Sequence, residues 1–205
     1  MVTTYPIRFE VDFPDRQLDR LSTAFRILAA IPILVVMAVL PGESFHLGGQ
    51  TAGYVASGSG LLFLPPLLMI VFRQKYPRWW FDWSLNLLRF SNRVAAYLAL
   101  LDDRYPSTDE EQAIHLDIPY PDARQMNRLL PLVKWVLAIP HYVVLFFLGI
   151  GALVAVVIAW FAIILTGRYP QSLFRYVVGV LRWTNRVTAY ALVLATDEYP
   201  PFRLG

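Results

Sequence analysis

Two long stretches of the chain carry no basic residue, one between Arg26 and Arg73 and one between Lys134 and Arg168. The first divides into apolar segments 24–40 and 54–72 around the polar, glycine-rich PGESFHLGGQTAG, and the second runs over 132–165 with no charge past Lys134. As a single helix this second stretch would be about 50 Å long at 1.5 Å per residue, against a hydrocarbon core of about 30 Å. It is therefore expected to turn back, with Gly149-Ile150-Gly151 as the apex. Both blocks then read as short helical hairpins in a membrane.

Each block is followed by a segment of a different kind. From Pro77 onward Asp82, Asn86, Arg89 and Arg93 recur at i, i+4, i+7 and i+11, and from Pro170 onward Arg175, Gly179, Arg182 and Arg186 do the same. Nearly everything between them is apolar, which predicts amphipathic helices lying in the membrane interface with a narrow polar stripe. A third spanning helix per block is the competing arrangement, disfavoured because a central Arg costs about 2.5–3.5 kcal/mol even on the lenient insertion scale. Near the N-terminus Ile7, Phe9, Val11 and Phe13 alternate with Arg8, Glu10 and Asp12. Ile114, Leu116, Ile118 and Tyr120 repeat that period of two, which predicts a short strand in each place. The two strands either pair antiparallel on the cytoplasmic face or lie as separate arms over the surface helices. Six of the eleven Tyr precede Pro (Tyr5, Tyr76, Tyr105, Tyr120, Tyr169 and Tyr199). The residue before Pro is pushed out of the helical region, so these pairs mark segment boundaries.

The two halves also match in sequence. KYPRWWFDWSLNLLRFSNRVAAYLALL aligns with RYPQSLFRYVVGVLRWTNRVTAYALVL, so that Phe81, Leu88, Arg89, Asn92, Arg93, Val94, Ala96 and Tyr97 meet Phe174, Leu181, Arg182, Asn185, Arg186, Val187, Ala189 and Tyr190. Upstream, IRFEVDFPDRQLDRL corresponds to IHLDIPYPDARQMNRL, and Ala30-Ile31-Pro32 to Ala138-Ile139-Pro140. Self-similarity of this kind reads as a tandem repeat, with one copy in 1–108 and a second in 109–205. The expected fold is an all-α integral membrane protein, each repeat a helical hairpin plus an interfacial amphipathic helix with a short cytoplasmic β-strand. Because basic residues flank both hairpins on one side, the positive-inside rule puts both termini in the cytoplasm. The copies are then parallel repeats about a pseudo-two-fold axis along the membrane normal.

Composition narrows the function. Hydrophobic residues make up 57% of the 205 residues and charged ones 16%, far from soluble averages of about 45–50% and 25%. The formal charge of +3 is too small to point to nucleic acid. With no Cys, disulfides and thiolate chemistry are excluded. The first twenty residues are polar and acidic, the wrong order for a cleavable signal, so insertion is expected to rely on the first hydrophobic block. His46, His115 and His141 have no metal-ligand spacing, Glu43 stands alone in the first block, and no phosphate loop, nucleophile elbow or zinc motif occurs. His141 is expected to be a neutral histidine bonded to a carbonyl freed by Pro140, with a proton relay as the alternative. The acids at Asp102, Asp103, Asp197 and Glu198 are expected to cap helices or to pair with Arg20, Arg124 or Arg128. Neither enzymatic activity nor a cofactor is implied.

The stretch RYPQSLFRYVVGVLRWTNRVTAYALVLATDEYPPF resembles the signature of the bacterial membrane family "domain of unknown function 4389", and the first half carries a degraded version with DDRYP for TDEYP. That resemblance implies a bacterial membrane location and two tandem copies, and brings no activity or catalytic residues.

The expectation is a non-enzymatic scaffold or accessory protein of the bacterial cytoplasmic membrane, acting as a homo-oligomer or within a larger complex. Arg89, Arg93, Arg182 and Arg186 are the candidate ligands of anionic lipid headgroups or an acidic partner, since Arg suits phosphate through bidentate geometry. Pairing with Asp15, Asp82, Asp102 or Asp122 is the competing role. Tyr76, Trp79, Trp80, Trp83, Tyr169 and Trp183 are the candidate aromatic belt at headgroup level. A small transporter or channel subunit, with a path near Pro32, Pro140 and His141, is the alternative.

Overall fold

The computed structural model describes residues 5–14, 17–39, 63–108, 110 and 112–205. The chain runs β1 (Arg8–Val11), α1 (Arg20–Val39), α2 (Leu64–Arg73), α3 (Arg78–Leu98), β2 (Ile114–Asp117), α4 (Leu130–Leu137), α5 (Ile139–Thr166) and α6 (Gln171–Ala191). It is a mainly helical protein with one two-stranded sheet. The expected connection within the first hydrophobic block, with Glu43 and His46, lies outside the described residues, and so does Asp15.

The expected hairpin in the second block is not formed. Helix α5 runs without interruption through Gly149 and Gly151 to Thr166, where Gly167 closes it at φ +72°. Glycine costs a helix only about 1 kcal/mol relative to alanine, too little to break 28 residues of apolar helix. Gly151 serves as a close approach: the hydroxyl of Tyr176 on α6 lies 2.5 Å from where its Cβ would be and donates to the Leu148 carbonyl at 3.1 Å. The regular helix is interrupted upstream instead, for the single residue Ala138, where Pro140 in the first turn of α5 brings no amide hydrogen. Together α4 and α5 form one apolar rod of 37 residues, about 55 Å long.

Helices α3 and α6 start where the Tyr-Pro pairs place them. Pro77 and Pro170 hold extended backbone (ψ 124° and 123°) just before the first helical residue. Past their C-terminal ends Leu100 and Leu194 turn the chain left-handed, at φ 64° and 58°. Each packs against an apolar neighbour running the other way. On α3, Phe90, Val94 and Tyr97 meet Ala30 and Ile33 of α1. On α6, Trp183, Val187 and Tyr190 meet Ala138, Val144, Leu145 and Leu148 of the rod.

The alternating segments do pair. β1 and β2 are antiparallel in the register Arg8↔Asp117, Phe9↔Leu116, Glu10↔His115 and Val11↔Ile114. Phe9 and Leu116 are buried on the inner face, while Arg8, Glu10, His115 and Asp117 are exposed. The main core joins this inner face to Phe81, Leu85, Ala96, Phe174, Val177 and Ala189 of α3 and α6.

A Cβ at Gly149 meets nothing within 4 Å. Gly149→Ala should therefore stabilise the protein by about 0.5–1 kcal/mol through the helix interior, read as a raised midpoint in thermal unfolding in detergent. A turn at this position would instead give a lowered one.

Candidate functional site

The polar residues that the sequence singles out converge where α3, α6 and the sheet meet. In the strand pairing, the bond from the Asp12 amide to the Ala113 carbonyl (2.9 Å) and the alternation of antiparallel ladders leave the Phe9 and Leu116 carbonyls pointing outward. Each is taken by an arginine. Arg182 Nε on α6 donates to Phe9 O at 2.9 Å, and Arg89 Nε on α3 donates to Leu116 O at 3.1 Å. The helix of each half thus holds the strand of the other half.

The next arginine on each helix holds the segment that follows that helix. Arg93 donates to Ser107 O at 2.9 Å, and Arg186 to Arg203 O at 3.2 Å and Gly205 O at 3.1 Å. Arg182 also reaches Leu204 O at 3.2 Å. Gly179 admits this last segment, since a Cβ there would stand 2.9 Å from Leu204 Cβ. Arg93 and Arg186 are buried. Burial, with Arg182 and Arg203 nearby, pushes the Arg186 guanidinium below its usual range, and the Tyr5 ring lies 6.0 Å from it. The candidate headgroup ligands Arg89, Arg93, Arg182 and Arg186 thus each donate to a backbone carbonyl. The other members of the two stripes, Asp82, Asn86 and Arg175, are exposed.

Three further polar contacts sit deeper, and sequence reasoning missed them. Asn92 and Asn185 face each other across α3 and α6 and exchange two amide hydrogen bonds, both 2.7 Å. Arg26 of α1 lies over the Tyr97 ring at 4.5 Å and donates to Tyr97 O at 3.0 Å and Asp102 O at 2.6 Å. Lys134 of α4 lies over the Tyr190 ring at 5.2 Å, donates to Thr196 O at 2.7 Å and pairs with Asp197 Oδ1 at 2.8 Å. Both cations are buried. The signal was in the alignment: Arg26 and Lys134 stand at equal distances before the matched Ala-Ile-Pro triplets, and the Tyr pair and the Asn pair are aligned identities.

Two expected partnerships are corrected. Asp197 pairs with Lys134 and caps the Asn127 amide at 2.7 Å, and Asp102 pairs with Arg104 at 3.0 Å, while Arg20, Arg124 and Arg128 are exposed. His141 does not bond a carbonyl freed by Pro140. Its Nδ1 accepts the Trp183 indole N–H at 3.0 Å, so the ring is neutral with its proton on Nε2. It is stacked on Phe202 at 4.0 Å and completely buried. Trp183, Tyr76 and Tyr169 are likewise core residues, at 3–5% exposure. Of the aromatic belt, Trp79 and Trp83 are exposed and Trp80 is half-buried.

A cavity of about 310 Å³ lies between α1, α2, α3 and the end of α6, lined by Met37, Phe63, Trp80, Leu87, Leu88 and Val193. Its walls suit hydrocarbon, not a polar substrate. A polar groove of about 590 Å³ beside the outer edge of β2 is lined by Asn86, Arg89, Arg93, His115 and Asp117. Among the described residues no group of His, Asp and Glu is placed to hold a metal ion.

The family model described as Domain of unknown function (DUF4389) matches residues 130–203, in one copy. The resemblance seen in the sequence is thereby supported for the second half of the chain. No curated protein and no solved structure matches.

Asn92→Leu alone should cost about 1–3 kcal/mol, because it strands the buried Asn185 amide. Asn92→Leu with Asn185→Leu should cost clearly less than the sum of the two single changes in a double-mutant cycle of chemical unfolding. Asp197→Ala, which leaves the Lys134 ammonium buried without its counter-ion, should cost about 3 kcal/mol in the same measurement.

Proposed function

We propose that the protein is a non-enzymatic integral membrane scaffold or accessory subunit, built from two tandem copies of one module and resident in a bacterial cytoplasmic membrane. The observation that carries this reading is the surface of the rod. Of the 37 residues in Leu130–Thr166, only Pro131, Lys134, Ala138, His141, Ala155, Ala159 and Ile163 are buried, whereas the core helix of a soluble protein is mostly buried. Phe146, Phe147, Leu153 and Leu165 are each more than 60% exposed, and so are Leu21, Phe25, Ile27 and Leu28 of α1. Contiguous apolar surface on this scale marks contact with lipid or a partner.

Matched contacts support the duplication. The Asn pair, the two strand-holding arginines and the two cations under tyrosine rings all join residues that align between the halves. A doubled platform with no catalytic constellation among the described residues fits a structural role better than a chemical one. Its lipid contacts are assigned to the basic residues that remain exposed at the ends of the apolar helices: Arg20, Arg73, Lys75, Arg78, Arg128 and Arg168. The four stripe arginines then act by holding the platform together for further copies of the chain or a larger complex.

The protein should stay with membranes through an alkaline carbonate wash, and release by that wash would refute the embedding. In nanodiscs of mixed anionic and zwitterionic lipid, anionic lipid should be enriched around the protein. Arg73→Ala/Lys75→Ala/Arg78→Ala should reduce that enrichment severalfold, given about 1 kcal/mol per basic residue at an anionic surface, and added salt should do the same. Enrichment unchanged by both would remove the headgroup role.

A further inference from the structure

The rod has charged neighbours at its start, part of the way along it and at its end. At its start Lys134 meets Asp197, and exposed Asn127 and Arg128 precede it. At its end the Gly167 carbonyl accepts the Leu18 amide at 3.0 Å, Arg20 lies 3.7 Å from the position of a Gly167 Cβ, and Tyr169 reaches Ala99 O at 3.3 Å, beside Asp102 and Arg104.

The second station follows from how the rod lies along α6. Lys134 is at Tyr190, His141 at Trp183 and Leu148 at Tyr176. Each seven-residue step along the rod is matched by seven residues back along α6, so the two run antiparallel side by side. Arg182, next to Trp183, holds Phe9 O. The sheet therefore sits level with His141, about 17 Å along the rod from Leu130. That sheet exposes Arg8, Glu10, His115 and Asp117. Leu132, Val133, Val136 and Leu137 at the start of the rod are exposed, so a rod standing across a bilayer with that apolar start embedded would carry these charged groups to the middle of a hydrocarbon core about 30 Å thick, where they are costly.

We infer that the rod does not cross the bilayer but lies along one leaflet, with α1 beside it, so that the apolar flank contacts the acyl chains of that leaflet while all three charged stations face the same aqueous side. Length agrees. A rod of about 55 Å that does not turn back is nearly twice too long to stand upright. Lying flat, α4 and α5 add volume to one leaflet only, and the platform of α3, α6 and the sheet rises from it toward water. This rests on the membrane reading above and refines it: the partner is one monolayer, and the protein is a one-sided wedge.

The chain has no Cys, so single cysteines report position without background. Arg128→Cys and Arg168→Cys mark the two ends of the rod in exposed positions, and Phe147→Cys marks its apolar flank. The full chain in native membranes, as right-side-out and as inverted vesicles, is treated with an impermeant maleimide. Both end cysteines should react from the same side only, and Phe147→Cys should react from neither side until detergent is added. Ends that react from opposite sides, from both sides or from neither overturn the in-plane placement. A carbonate wash on the same samples separates the two proposals: release defeats the membrane reading, whereas retention with opposite-sided labelling defeats only the in-plane one.

Discussion

A cation buried beside apolar helices has to find oxygen, and in this chain most of that oxygen is backbone carbonyl. Arg26 and Lys134 sit at the base of the apolar helices and reach the carbonyls just past the ends of α3 and α6. Arg89, Arg93, Arg182 and Arg186 reach the strands and the segments that follow those helices. Carbonyls are fixed in space by the backbone, so each such bond fixes one chain segment against another. The irregular segments are held in place this way, without a large core of their own.

The same requirement ties the two halves together. Antiparallel pairing turns the Phe9 and Leu116 carbonyls outward, and an arginine from the opposite half closes each one. Beneath them, Asn92 and Asn185 satisfy each other. Reciprocal amides of this kind fix register, because any slip leaves two buried polar groups unpaired. The result is a platform that turns Asn92, Asn185, Arg93 and Arg186 inward, while its apolar helices are left to face outward.

That inversion shapes what the protein can do. The arginine stripe resembles a lipid-binding surface in sequence, yet Arg89, Arg93, Arg182 and Arg186 each direct a donor to a backbone carbonyl. Arg73, Lys75, Arg78 and Arg168, near the helix ends, are exposed. His141, conspicuous in an apolar segment, is neutral and enclosed by Trp183, Tyr199 and Phe202, a packing role rather than a relay for protons.

Local patterns were legible in the sequence because they depend on near neighbours in the chain. The Tyr-Pro boundaries, the amphipathic spans after Pro77 and Pro170, the period-two strands and the matched halves all follow from backbone sterics and side-chain periodicity. What the sequence left open were questions of contact and orientation. Strand pairing, the carbonyl partners of the arginines and the Trp183 bond to His141 join residues dozens to more than a hundred positions apart. The misplaced turn at Gly149-Ile150-Gly151 has the same origin. A length limit bends a helix only if it stands across the bilayer, and the direction in which the rod points is set by its packing along α6, which no local pattern encodes.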